Sequence, residues 1–135
     1  MALVTWDPSY SVKVKRCDQE HQKLFDLMNA LHEAMRMGKG RKLMQQIVAE
    51  LSNYTNTHFG AEEALMEQCK YPALPGHRLE HQRFVKQVAD FQHDLDAGTG
   101  GNSVAVLEFL KDWLVKHIKK LDQSYSAHLN AHGIN

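Results

Sequence analysis

The sequence predicts an all-α protein, an up-down-up-down four-helix bundle with an extended N-terminal arm. Three observations carry that prediction. Apolar residues recur every three or four positions through four long segments. Glycine and proline cluster between those segments. The chain is 135 residues long, 43% apolar and 24% charged, which suits a single domain, 1–135, around one core.

Residues 1–17 hold Pro8 and the alternation Val12-Lys13-Val14-Lys15, with no second strand to pair with, and read as an extended arm anchored by Trp6. Asp18 is the expected N-cap of a helix over about 18–37, whose stripe is Leu24, Phe25, Met28, Leu31 and Met35, and which ends at Gly38-Lys39-Gly40. A second helix, about 42–69, carries Met44, Ile47, Leu51, Tyr54, His58, Glu62, Leu65 and Cys69 and stops before Pro72 and Pro75. A third, about 76–97, starts near Gly76, carries His77, His81, Phe84, Val88, Phe91 and Leu95, and ends at Gly98-Thr99-Gly100-Gly101. The fourth, about 103–127, begins near Asn102 or Ser103 and carries Leu107, Leu110, Trp113, Leu114, His117, Ile118, Leu121 and Tyr125, with a frayed tail from about His128.

Sixteen basic residues balance sixteen acidic ones, so neither nucleic acid nor an anionic membrane is an expected partner. The N-terminus lacks the charged and apolar regions of a secretory signal, and no apolar run approaches the ~18 residues of a membrane span. A cytoplasmic monomer without membrane insertion is expected. Cys17 and Cys69 are expected as reduced thiols.

The chemistry lies in polar residues that occupy inward positions. His58-x-x-x-Glu62 and His77-x-x-x-His81 pair residues about 40° apart around a helix and one turn along it, so each pair points one way. His117 shares a face with Leu110 and Leu114, and His21 lies one turn before Leu24 and Phe25. One inward imidazole is ordinarily a hydrogen-bonded core residue. Five of them with buried carboxylates are satisfied together by cations between the helices. A ligand set without thiolate suits iron, zinc, manganese or copper. Five imidazoles and two carboxylates are too many for one tetrahedral zinc. They fit two six-coordinate ions joined by both carboxylates and one solvent oxygen, with one position open.

Trp6, Asp18-x-x-His21, His58-x-x-x-Glu62, His77-x-x-Glu80-His81 and His117-x-x-x-x-Asp122 follow in this order, and the pattern resembles the hemerythrin family in its single-domain bacterial form over nearly the whole chain. The resemblance implies a cofactor of two non-heme iron ions, oxo- or hydroxo-bridged. It implies His77, His81 and His117 on one iron, His21 and His58 on the other, which keeps the open position, and Glu62 and Asp122 as bridges. Asp122 lies five residues after His117, about 140° round an ideal helix, so the fourth helix is expected to widen there into a π-bulge.

The function so implied is reversible dioxygen binding for carriage, storage or buffering, with an oxygen-consuming enzyme as a conceivable recipient. A di-iron enzyme reducing nitric oxide or peroxide, and an oxygen sensor acting through a separate partner, stay open as alternatives. No Glu-x-x-His pair of the ferritin-like oxygenases occurs, and few anionic ligands favour the ferrous state. Leu114 is expected to line the dioxygen pocket, with Phe59, Trp113, Phe25 and Ile118 as candidates for the same apolar wall. Tyr125 is either a partner of a metal ligand or plain core, Glu80 an exposed carboxylate, and His32, His93, His128 and His132 surface groups.

Overall fold

Each amphipathic stripe must be covered, and four of them cover one another. The computed structural model describes residues 3–38, 41–98 and 103–135. Among these there is no strand. Three uninterrupted helices are α1 (Lys15–Arg36), α2 (Arg41–Gln68) and α3 (Leu74–Ala97). The fourth rod is composite: α4 (Ser103–His117), a π-helical turn (Ile118–Asp122) and α5 (Gln123–Ala131). α1 and α3 each pack against both α2 and α4, so the helices close into a ring. The short links make neighbours antiparallel. Leu24, Met28 and Leu31 of α1, Val48 and Leu51 of α2, Phe84 and Val88 of α3, and Leu107, Leu110 and Leu114 of α4 are all 1% exposed or less. Burying each contributes about 1.5–3 kcal/mol. No described helix is long and apolar enough to cross a membrane.

Helix ends follow local chemistry. Gly38 (φ +65°) and Gly98 (φ +73°) turn the chain out of α1 and α3 in the left-handed region that favours glycine. A Cβ on Gly98 would lie 2.6 Å from Arg41 Nη1, so any side chain there would displace the arginine at the start of α2. α3 begins at Leu74 rather than near Gly76, because Pro75 fits the first turn, where its missing N–H leaves no bond unmade. The expected stops at Gly40 and Gly101 and the start at Asn102 lie outside the described residues.

Two expectations are corrected. α1 starts at Lys15, and Asp18 is not its cap. The Asp18 carboxylate reaches back to accept from the Val12 N–H (2.8 Å) and the Ser11 hydroxyl (2.6 Å). The earlier start buries Val14 and Cys17, and Asp18 instead fastens the arm to the helix. Nor does the tail fray from His128. That ring donates from Nε2 to the Cys69 carbonyl (2.6 Å), and Leu129 is 1% exposed, so α5 persists to Ala131. Half-buried His128 is thus not the freely exposed group expected.

The arm is held at several points. Asn29 pairs with both the N–H and the carbonyl of Val4 (3.0 and 2.8 Å). The rings of Trp6, Tyr10 and Phe25 lie 5.1–5.7 Å apart, mostly edge to face. Phe25 therefore serves as the arm's aromatic anchor. Cys17 and Cys69 are free and buried.

Candidate metal centre

Antiparallel order brings the start of α1, the end of α2, the start of α3 and the end of α4 to one end of the bundle. His21, His58, Glu62, His77, His81, His117 and Asp122 meet there, each 4% exposed or less. Asp122 arrives by way of the π turn. The Gln123 N–H bonds to the Ile118 carbonyl five residues back, and the wider turn brings Asp122 round to the face that carries His117.

The seven side chains form two groups that share Glu62: Glu62, His77, His81, His117 and Asp122 in one, His21, His58 and Glu62 in the other. Each carboxylate presents one oxygen to each group. Glu62 Oε1 lies 3.2 Å from His81 Nε2, while Oε2 lies 3.2 Å from His21 Nε2 and 3.4 Å from His58 Nε2. Asp122 Oδ1 lies 2.8 Å from His77 Nε2 and 3.1 Å from His117 Nε2, while Oδ2 lies 3.1 Å from His21 Nε2.

These distances are short enough for hydrogen bonds, but the angles are wrong for them. Nε2 of all five histidines, Oε1 of Glu62 and both oxygens of Asp122 have no hydrogen-bond partner. Buried polar atoms are almost always paired. So many orphans converging on two centres is the signature of donors arranged round cations rather than round one another. The donors are imidazole and carboxylate only, which suits iron.

The metal-free electrostatics agree. Burial opposes charging His58, but Glu62 and Glu20 outweigh it and push the imidazole up to about 10. Burial likewise opposes ionising Glu62, yet His58, His21 and His81 hold it well below the usual carboxylate range. Burial and Glu62 work against Asp122, and His117 and His21 overcome them and hold it low. Both acids are thus held as anions, the form in which carboxylates ligate metals.

Outer contacts fix the ring orientations. His58 Nδ1 bonds to Glu20 Oε1 (2.9 Å) and His81 Nδ1 to Glu63 Oε2 (2.8 Å), which leaves both Nε2 atoms aimed inward. Arg78 Nε donates to the other Glu63 oxygen (3.0 Å). Burial, then Glu62 and Asp122, push the Tyr125 phenol well above its usual range, so it stays protonated and donates to Glu62 Oε2 (2.6 Å). Of the two roles open for Tyr125, this is the partner role. Glu80 accepts from Arg83 (2.7 Å) and plays no such part. Sequence reasoning missed Glu20 and Glu63. Each directly adjoins an inward residue, His21 or Glu62, about 100° round its helix and so facing the next helix; that adjacency was the available signal.

Aromatic rings wall one side. Phe59 stacks on His81 (3.7 Å, 2°), and Trp113 stacks on His117 (4.6 Å, 11°). Phe84 lies 4.6 Å from Trp113. Leu114 and Ile118 are buried to 1% and 0%. Trp113 is partly exposed, beside Lys116 and Lys120 in a surface cleft of about 340 Å³.

Residues 12–129 match the family model described as the hemerythrin HHE cation binding domain. The chain belongs to the hemerythrin family. It is 34% identical to the bacteriohemerythrin of Methylococcus capsulatus, over 97% of this chain and 100% of that one. With the bacteriohemerythrin of Stenotrophomonas maltophilia it shares 33% over 98% of this chain and 85% of the other. With myohemerythrin-1 of Phascolopsis gouldii it shares 32%, covering 92% of both. A crystal structure of wild-type hemerythrin superposes with a TM-score of 0.89 at 32% identity, covering 95% of this chain and 98% of that one. The hemerythrin cofactor is a pair of non-heme iron ions, and the buried donor set of this chain suits that pair.

Proposed function

We propose that the chain binds dioxygen reversibly at its di-iron centre. His77, His81 and His117 would hold one iron, His21 and His58 the other, with Glu62 and Asp122 offering a carboxylate to both. The observation that carries this is the division of each carboxylate, one oxygen towards each histidine group. The His21/His58 side offers two imidazoles against three on the other, so the open position for dioxygen would lie there. When bound, the iron pair would supply the electrons for reversible dioxygen binding at that position.

The protein's own residues do the rest. Glu20 and Glu63 keep two rings in register, and Tyr125 holds Glu62. Leu114, Phe59 and Ile118 exclude water from the ligand side, which protects the reduced site from autoxidation. Every described histidine, aspartate or glutamate that is buried belongs to the set of seven. The acid and base groups that adjoin them, Glu20, Glu63 and Tyr125, are each already bonded to one of the seven, and this favours carriage over catalysis. The natural recipient is an enzyme that consumes oxygen.

The test is an optical spectrum of the reduced, iron-loaded protein. Air should raise a visible charge-transfer band, and evacuation should remove it over repeated cycles. Irreversible bleaching with rapid turnover of peroxide or nitric oxide would establish the enzyme instead.

A further inference from the structure

α2 carries two threonines that behave differently. The exposed Thr57 donates its hydroxyl back to the Asn53 carbonyl (3.0 Å), the ordinary resting place of a helical threonine. Thr55 is 1% exposed, and its Oγ1 has no partner at all. A hydroxyl that forgoes the carbonyl one turn back, and is shut off from water, is costly unless something else occupies it.

Its place in the fold says what that is. Thr55 precedes His58 by three residues and Phe59 by four, so it lies on the inward face one turn deeper into the bundle than the metal centre. Leu24 stands one turn from His21, Phe84 one turn from His81, and Leu114 one turn from His117, all in that same direction. α2 and α4 run parallel across the ring, which sets Thr55 in the layer of Leu114. Leu24, Phe84 and Leu114 are 1% exposed or less, and none has a side-chain polar atom. Thr55 brings the one side-chain hydroxyl to a layer otherwise made of hydrocarbon, next to His58 on the open side of the centre.

We propose that Thr55 is a specificity-determining residue of the ligand pocket, its hydroxyl donating a hydrogen bond to the far atom of a small ligand at the open position. The ligands it selects carry negative charge on that atom, as small anions do. This rests on the placement of the irons proposed above.

The probe is azide, titrated into the oxidised, iron-loaded protein, with Thr55→Val and Thr55→Ser beside the wild type. Thr55→Val keeps the shape and removes the donor, so azide affinity should fall about 2- to 10-fold. Thr55→Ser should restore it. The azide stretch should shift between H2O and D2O in the wild type and Thr55→Ser, and not in Thr55→Val. A second readout needs no metal: iron-free Thr55→Val should melt at or above the wild-type temperature, since it loses an unpartnered hydroxyl. Equal azide affinity and an unchanged stretch in Thr55→Val would overturn the assignment while leaving the di-iron reading intact. A lower Tm for the iron-free valine variant would also overturn it, by revealing a structural partner. Wild-type protein that takes up no iron would remove the reading on which the proposal stands, and iron analysis identifies that case at once.

Discussion

Replacing Glu63 by glutamine tests how the outer contacts tune the metal centre. Glu63 Oε2 sits 2.8 Å from His81 Nδ1 and fixes both the tautomer and the direction of Nε2. Loss of such a partner ordinarily lowers metal affinity by about 10- to 100-fold. Two features of this site argue for the lower end. The Glu63 side chain is 20% exposed, so solvent screens its charge. Phe59 also clamps the His81 ring, face to face at 3.7 Å. We therefore expect Glu63→Gln to weaken metal binding about 10-fold, or about 1.4 kcal/mol. The assay is competition of the metal-free protein with a chelator of known affinity. Glu80→Gln is the control, because Glu80 also adjoins His81 in sequence but bonds to Arg83. Wild-type affinity in Glu63→Gln, or an equal loss in Glu80→Gln, would refute the reasoning.

Leu114→Ala should cost about 2–5 kcal/mol of stability, because the leucine is 1% exposed; it should also speed autoxidation, and an unchanged rate would remove Leu114 from the pocket wall. Cys17 should resist iodoacetamide at pH 8 in the native protein and react once denatured, since burial, and then Glu62, push its thiol up to about 12. The metal-free protein should show a stability maximum in mildly acidic solution. His58, raised to about 10, contributes stability that is complete below about pH 6.5 and lost as pH climbs through 10, while Glu62 and Asp122, both lowered, contribute stability that is lost as pH falls below about 4. Denaturant midpoints across pH check this, and a metal-free protein that gains stability from pH 7 to 10 would contradict it.

Much of this was readable in the chain because helical period and ligand spacing coincide. His58 and Glu62, like His77 and His81, lie one turn apart on stripes of apolar residues, so pattern alone turns them inward. The interval from His117 to Asp122 fits a regular helix poorly, and that misfit is itself the signal of the π turn between them. What stayed hidden depends on contacts between helices. Glu20 finds His58 thirty-eight residues away, and Glu63 finds His81 eighteen away, from half-buried flanks that no apolar stripe marks. Asp18 has the composition of a cap, yet the burial of Val14 and Cys17 sets the helix start upstream and gives the carboxylate to the arm. The tail from about His128 is expected to fray as chain ends do, but Leu129 and the bond from His128 to Cys69 fasten it.

The most direct measurement is metal content. Elemental analysis of purified, iron-replete protein should give two irons per chain for the wild type, and a near-complete loss when Glu62 and His77 are both replaced by alanine. A wild type without stoichiometric iron, or a double variant that keeps its full complement, would contradict the central claim.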